Sequence, residues 1–243
     1  MGEKRIIQLK EHIIEIVSDS GEGAQKAAVT FAQACALMGG GLWTVEVIPS
    51  EIQPPPHTTG AASGNRIRLA QTSVTNAGDY ANLVMAFNEM ALLSRIEQGV
   101  LADDVMVVID DKWASDDDPR IRQNYREILD GIKAKGGTVV EVPLEKETLK
   151  LVEDPKKAKN MFAVGVLSYL YDRDVEVLKR IIKETFRTKS GAVVEQNFAL
   201  MEAGYNWGVA NLDFQFNVKG HISDQPQVVM NGNTALALGA IAA

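Results

Sequence analysis

The sequence predicts an α/β protein in which helices cover both faces of a mostly parallel sheet. Residues 82–87 and 105–110 are apolar almost throughout, as expected for central strands that are buried on both faces. Near the beginning of the chain, a glycine turn joins an apolar strand to an alanine-rich helix. Beyond residue 152 the pattern changes to consecutive helices. These observations predict a three-layer fold with a C-terminal helical segment.

The first predicted unit is a strand, a helix and a second strand. Residues 12–18 (HIIEIVS) are typical of a buried strand, and residues 42–48 (LWTVEVI) alternate like a second strand. Between them, residues 24–38 form a predicted helix with alanines along one face, and the glycines at 39–41 are expected to end it. We therefore predict a right-handed βαβ unit of Rossmann-like type.

The following elements continue this pattern. A short strand is expected at residues 66–70, before the two apolar runs that form the central strands. A helix at residues 120–135 and a strand at 138–143 complete the predicted sheet region.

The C-terminal part is predicted to be helical. Residues 156–210 contain consecutive helical patterns, and Ser190 is a candidate N-cap within them. The apolar positions of one helix fall on a single face: Val175, Leu178, Ile182 and Phe186. Residues 223–243 end in a strand-like VVM and an apolar ALALGAIAA, which could not bury themselves alone. We therefore expect one domain over residues 1–222 and the start of a truncated second domain after it.

Composition and charge exclude several classes of protein. The net charge of −7 argues against a general nucleic-acid surface, although a local anion site remains compatible with it. The single cysteine, Cys35, lies in an apolar stretch and is interpreted as a small core residue; one cysteine forms neither an internal disulfide nor an iron–sulfur ligand set. The sequence shows neither a signal-type core nor a membrane-length apolar run, so we expect a cytoplasmic protein.

The glycine turn is the first candidate site. Ser20, Gly21, Gly23 and Gln25 lie between a predicted strand and a helix N-terminus, where backbone N–H groups can bind an anion. A dinucleotide fingerprint would require glycine at residue 26, which is lysine, although Glu46 could serve as a ribose acid. Helix–sheet packing and anion binding both remain open for this turn, and packing is slightly favoured.

The second candidate is the proline loop SEIQPPPHTTGAASGNRIRLA, residues 50–70. Its prolines stiffen the chain, and its small residues allow a ligand or backbone to approach closely. His57 could contact an anion, although a solvated histidine is the simpler interpretation; Arg66 and Arg68 flank the loop, and a guanidinium suits phosphate. The loop is predicted either to be ordered against a ligand or partner, or to be a mobile surface loop.

A third candidate, Asn88, directly follows a central strand, where open α/β sheets usually place ligands. Neither a catalytic triad nor a metal-ligand cluster is visible in the sequence. We therefore predict no catalytic and no metal-binding residue in this chain.

Four stretches resemble the gamma-type domain of 2-oxoacid:ferredoxin oxidoreductases, as fused at the N-terminus of an alpha subunit. These stretches are GEGAQKAAVTFAQACALMG, IPSEIQPPPHTTGAASGNRIRLA, ANLVMAFNEMAL, and KNMFAVGVLSYL with EQNFALMEAGY. The proline loop is similar to that of the 2-oxoglutarate type, and the arginine–glycine–glycine run of the pyruvate type is missing. The end, NGNTALALGAIAA, resembles the opening of the next alpha-subunit domain, which holds the thiamine diphosphate pyrimidine.

The resemblance implies a part in the oxidative decarboxylation of a 2-oxoacid to an acyl-CoA. It implies a complex with a beta subunit, with ferredoxin as electron acceptor, and with thiamine diphosphate, magnesium, iron–sulfur clusters and coenzyme A. This domain would help to enclose coenzyme A and to assemble an oligomeric complex, would supply no reacting group, and would be inactive alone. The alternatives are a free-standing nucleotide-binding module and a structural assembly module.

Overall fold

The computed structural model describes residues 4–51, 54–220, 228 and 230–243. Its central sheet has six strands in the order β3-β4-β2-β5-β6-β7. Their bounds are β2 Glu11–Asp19, β3 Gly41–Val47, β4 Ala62–Ala70, β5 Ala81–Ala86, β6 Leu101–Asp110 and β7 Thr138–Val142. Two short strands, β1 Arg5–Gln8 and β8 Phe214–Asn217, pair in parallel as a separate ribbon.

The sheet is mostly parallel, as predicted, with one antiparallel strand. β2, β5, β6 and β7 pair in parallel. The strand β4 runs antiparallel to both β2 and β3 and lies between them. The two strands of the predicted βαβ unit, β2 and β3, run in the same direction, as such a unit requires, but they are not neighbours, because β4 lies between them.

The strand β4 is also longer than the predicted residues 66–70. It is paired with β2 over nine residues, starting at Ala62 opposite Asp19. Gly64 makes this pairing possible, because a Cβ there would lie 1.8 Å from the carbonyl oxygen of Ile16. The small residues of the proline loop thus serve close strand packing as well as the loop itself.

Helices cover both faces of the sheet. On one face lie α1 (Ala24–Leu37), α5 (Lys159–Leu170), α6 (Val175–Thr185) and α7 (Gly191–Asn211), with the larger apolar core. On the other face lie α2 (Glu89–Glu97) and α3 (Pro119–Ala134), with a second core. The short helix α4 (Leu144–Thr148) follows β7, and α8 (Gly232–Ala242) is exposed along its whole length. The predicted three-layer α/β fold is confirmed.

The C-terminal helices pack through glycine. Every residue of α5 is buried, and α7 crosses it closely. A Cβ on Gly204 would lie 2.0 Å from the carbonyl oxygen of Phe162, and a Cβ on Gly165 would lie 2.0 Å from that of Met201. Because backbone meets backbone at this crossing, neither glycine can be replaced without moving a helix.

The helical prediction for residues 156–210 is confirmed, with differences in detail. In α6 the buried positions include Val177 and Ile181 beside the predicted Leu178 and Ile182. Ser190 occupies the N-cap position of α7, but its side chain makes no capping hydrogen bond within the described structure. The predicted domain boundary after residue 222 lies outside the described residues. Among the described helices, none combines the length and apolar character needed to cross a bilayer.

Candidate functional site

The carboxyl ends of β2, β5 and β6 meet at one edge of the sheet. The residues before β4 reach the same edge because β4 runs in the opposite direction. We call residues 54–61 of this approach the strap. Open α/β sheets bind ligands outside the carboxyl ends of their strands. The candidate site is therefore this edge together with the strap.

The glycine turn after β2 forms one side of the site. Gly21 and Gly23 have φ angles of 89° and 91°, which are left-handed and favour glycine. Gly23 is the N-cap of α1, and a Cβ there would lie 2.7 Å from Nδ2 of Asn160. The backbone N–H of Ser20 donates to the carbonyl oxygen of Ala61, which ties the turn to the strap. Ser20 itself and Gln25 are exposed to solvent.

Asp19, at the end of β2, brings two predicted site residues together. Its Oδ2 accepts the backbone N–H of His57 at 2.6 Å, and its Oδ1 accepts Nδ2 of Asn88 at 3.0 Å. The Oδ1 of Asn88 in turn accepts the N–H of Ala91, so Asn88 caps α2 and is fully buried. The turn, the strap and the α2 N-terminus therefore form one connected unit.

The ring of His57 is inserted into the site. It is mostly buried, whereas the simpler interpretation of the sequence was a solvated histidine. It stacks on the indole of Trp113, with ring centroids 4.5 Å apart. Its Nε2 lies 2.7 Å from Oε1 of Glu89, and only 23% of the His57 side chain is exposed. The close contact with the Glu89 carboxylate raises the pKa of His57 above its ordinary value, while partial burial opposes this rise.

Two buried carboxyl groups lie at the ends of the central strands. Glu89 is fully buried, and apart from the His57 contact its carboxylate oxygens have no hydrogen-bond partner within the described residues. Asp110 ends β6; burial raises the pKa of its carboxyl to about 7, although the nearby Lys159 lowers it. Such groups are expensive to bury and often mark a functional edge.

A buried lysine adds the positive charge that sequence analysis missed. Lys159, at the start of α5, is 1% exposed. Its Nζ donates to Oε1 of Glu22 at 2.9 Å and lies 5.4 Å from the ring centroid of Phe87. In the sequence, a lysine at the start of the apolar run of α5 was the feature that could have indicated this residue. Its partner Glu22 lies 137 residues away in the chain, so the ion pair itself was not visible in the local sequence.

The position of Arg66 differs from the expectation that its guanidinium is available to a phosphate. All three nitrogens of its guanidinium donate to protein acceptors: Glu15 and the carbonyl oxygens of Gly78, Asp79 and Val100. Glu15 is fully buried and also binds Arg95 of α2. Arg66 therefore joins the sheet to α2, and it is not placed to bind a phosphate. Arg68 pairs with the half-exposed Glu11 instead.

An open groove of about 880 Å³ adjoins the glycine turn. Lys26 of α1, Asn160 of α5 and Phe186 after α6 contribute to its walls. The dinucleotide alternative finds no support here, because Glu46 lies on β3, which β4 separates from β2. Among the described residues, no group of three or more histidine, cysteine or acidic side chains is placed to hold a metal ion. Cys35 is buried in the core, as predicted, and burial raises the pKa of its thiol to about 12.

The fold is that of a three-layer α/β domain whose candidate site is a covered sheet edge, and the comparisons place the chain in a family. Residues 14–207 match the family model of pyruvate ferredoxin/flavodoxin oxidoreductases. The chain belongs to this family. The resemblance inferred from the sequence stretches is thereby confirmed.

One curated relative is the 2-oxoglutarate oxidoreductase subunit KorA of Mycobacterium tuberculosis. It is 30% identical over 97% of this chain, and the chain spans 37% of the length of that relative. A solved 2-oxoglutarate:ferredoxin oxidoreductase from Magnetococcus marinus, with 2-oxoglutarate, coenzyme A and succinyl-CoA bound, has a TM-score of 0.75 at 22% identity. The structural match covers 96% of this chain and 37% of the chain from Magnetococcus marinus.

Two solved gamma-type subunits share the fold along nearly their whole length. The pyruvate oxidoreductase subunit PORC of Thermotoga maritima has a TM-score of 0.56 at 18% identity, over 82% of this chain and 97% of its own. The keto/oxoacid ferredoxin oxidoreductase gamma subunit of Geobacter sulfurreducens has a TM-score of 0.59 at 14% identity, over 83% of this chain and 98% of its own. At these identities the structures show a common fold.

Proposed function

We propose that this chain is the gamma-type domain of a 2-oxoacid:ferredoxin oxidoreductase alpha subunit, of the 2-oxoglutarate type. The observation that carries the proposal is the 30% identity to a 2-oxoglutarate oxidoreductase subunit over 97% of the chain. The complex would oxidise 2-oxoglutarate to an acyl-CoA, with a beta subunit and ferredoxin as partners, in the cytoplasm. We further propose the domain boundary after residue 222, with residues 223–243 opening the next domain.

Within that complex, the domain would enclose coenzyme A and contribute to subunit assembly. Thiamine diphosphate, magnesium and the iron–sulfur clusters would be held elsewhere in the complex. For the iron–sulfur clusters, the residues of this chain support that division, because its single cysteine is buried and its thiol has a raised pKa. A group of this kind is not available as a cluster ligand.

The distribution of charge along the sheet edge favours one position over another for the phosphates of coenzyme A. Asp19 and Glu89 lie beneath the strap, where a phosphate would be repelled. On the other side of the turn, the first turn of α1 has no acidic residue and no side-chain cap within the described structure. Its N–H groups and Lys26 suit an anion. The carboxylate of Glu22 in the glycine turn is paired with Lys159, although Glu153 and Asp154 also line the groove. We assign the phosphates to residues 20–26 and the enclosing role to the strap, with His57 and Asn88 holding it.

The test is reconstitution with the beta subunit. The alpha subunit that carries this domain should co-purify with its thiamine-binding beta subunit. That complex should reduce a viologen acceptor with 2-oxoglutarate in the presence of coenzyme A, whereas the isolated chain should not. Turnover by the isolated chain, or a complex without 2-oxoacid oxidation, would contradict the proposal. Binding of NAD or FAD by the isolated chain would support the nucleotide-binding alternative instead.

A further inference from the structure

One residue of the strap, His57, has a strained backbone conformation that other contacts must stabilise. His57 has a φ of 57°, which lies in the left-handed region and is unfavourable for a residue with a side chain. Three contacts hold it there: the N–H bond to Asp19, the stacking on Trp113 and the contact of Nε2 with Glu89. Contacts to three other segments therefore converge on the strained residue of the strap.

One of the three contacts depends on a proton. Glu89 is fully buried, and the imidazole of His57 is the one group within the described residues that touches its carboxylate with a donor nitrogen. A buried carboxylate without a positive or donating partner is strongly unfavourable. A protonated His57 provides that positive partner. When His57 is neutral, the positive charge of the pair is lost and the Glu89 carboxylate has no counter-charge from it.

The surrounding charges act in the same direction. Asp19 and Asp116 also face the imidazole, and with Glu89 they raise the pKa of His57. Lys112 lies over the indole of Trp113, with its Nζ 4.8 Å from the ring centroid, and is paired with Glu145. Two influences oppose protonation: partial burial, and the lack of a hydrogen-bond partner for the buried Nδ1 of His57 within the described residues.

We propose that His57 is a proton-operated latch: its imidazolium, between Trp113 and Glu89, closes the strap over the sheet edge, and loss of the proton releases it. Release frees the peptide of His57 to leave its strained conformation and uncovers the sheet edge at Asp19 and Asn88. The latch is a property of this chain and is independent of which ligand the edge binds.

The direction of the pH dependence follows from linkage. The closed strap binds the proton more tightly than the open strap, because the pKa of His57 is raised above 6.5 in the closed form. Closure is therefore fully favoured below the open-form pKa and is weakened as the pH rises through the closed-form pKa. Each unit of pKa difference corresponds to a tenfold change in the closing equilibrium.

The experiment uses the intact chain and measures two quantities. The pKa of His57 is read from NMR titration of its ring protons, assigned with His57→Gln among the three histidines. Amide hydrogen exchange of residues 57–61, the part of the strap that follows its prolines and carries amide hydrogens, reports strap opening between pH 5.5 and 9 when it is divided by the intrinsic rate at each pH. We expect protection to fall between the open-form pKa of about 6.5 and the measured closed-form pKa, and to level off above the latter; the total fall is a factor of ten for each unit that the measured pKa exceeds 6.5.

Glu89→Gln should lower the pKa of His57 and abolish the pH dependence of strap protection. The matched control is Glu97→Gln, which removes an exposed carboxylate from the same helix and should change neither quantity. The wild-type titration decides the matter even if Glu89→Gln fails to fold. A His57 pKa at or below 6.5, or strap protection that is independent of pH, would overturn the latch.

Discussion

The backbone N–H of His57 donates a 2.6 Å hydrogen bond to Oδ2 of Asp19, 38 residues earlier in the chain. The other oxygen of Asp19 accepts the side chain of Asn88. One carboxylate thus joins the end of the first core strand, the strap and the N-terminus of α2. The positions of the three candidate segments depend on this one side chain.

Asp19→Ala is expected to destabilise the protein and loosen the strap. Hydrogen bonds to a charged group contribute about 1.5–3 kcal/mol each, so the loss of both bonds should lower the free energy of unfolding by roughly 3–6 kcal/mol. Urea denaturation measures this change, and hydrogen exchange of residues 57–61 reports the strap. Asp103→Ala, at an exposed position, should lie within about 0.5 kcal/mol of the wild type. Equal effects of the two variants would contradict the role of Asp19.

Glu15→Gln tests the buried ion pair between the sheet and α2. Glu15 is fully buried and accepts from both Arg66 and Arg95, so loss of its charge leaves two buried guanidinium groups without their counter-ion. We expect a loss of about 3–5 kcal/mol in denaturation experiments. The matched control is Glu11→Gln in the same strand, whose half-exposed pair with Arg68 should contribute less than about 1 kcal/mol. A loss below that of the control would show that Glu15 is not needed for packing.

Gly204→Ala tests the crossing of α5 and α7. The added methyl group would meet the carbonyl oxygen of Phe162 at 2.0 Å, so the helices must separate. Overpacking of this kind costs about 1–3 kcal/mol or more, which thermal denaturation would detect as a lower melting temperature. Gly191→Ala in the same helix has open space around it and should be neutral or slightly stabilising. An unchanged melting temperature for Gly204→Ala would mean that the crossing is looser than described.

Asp110→Asn should stabilise the protein at alkaline pH relative to the wild type. The pKa of Asp110 rises from 3.8 to about 7 on folding, so the folded state holds a proton that the unfolded state releases. Wild-type stability therefore falls as the pH rises from about 4 to 7, and asparagine, which does not ionise, avoids this loss. Between pH 5 and pH 8 the difference in unfolding free energy should shift by about 2–3 kcal/mol in favour of Asp110→Asn. A difference independent of pH would show that Asp110 has an ordinary pKa.

The local sequence predicted the location of the strands in the central sheet, most helix bounds and the edge at which candidate groups lie. Apolar runs identified β5 and β6, and the strand-end rule selected Asn88. The place of β4 could not be predicted, because antiparallel pairing over Ala62–Ala70 depends on contacts with distant strands. The ribbon of β1 and β8 was missed, since its strands are four residues long.

Side-chain partnerships in the site were also beyond local patterns. The sequence placed His57 in a loop, but its stacking partner Trp113 comes from the segment after β6. Lys159 and Glu22 meet only because α5 packs against the turn after β2. Arg66 looked available for phosphate because its partner Glu15 belongs to a strand read as apolar. Polar residues inside apolar runs were the sequence features that indicated these buried partnerships.

The most direct test of the central claim is hydrogen exchange in the assembled alpha–beta complex, with and without coenzyme A. We predict that coenzyme A slows exchange in residues 20–26 and in residues 57–61 of the strap, while α3, on the opposite face, is unchanged. Protection of neither segment, in a complex that turns over 2-oxoglutarate with coenzyme A, would contradict the assignment of this edge to coenzyme A.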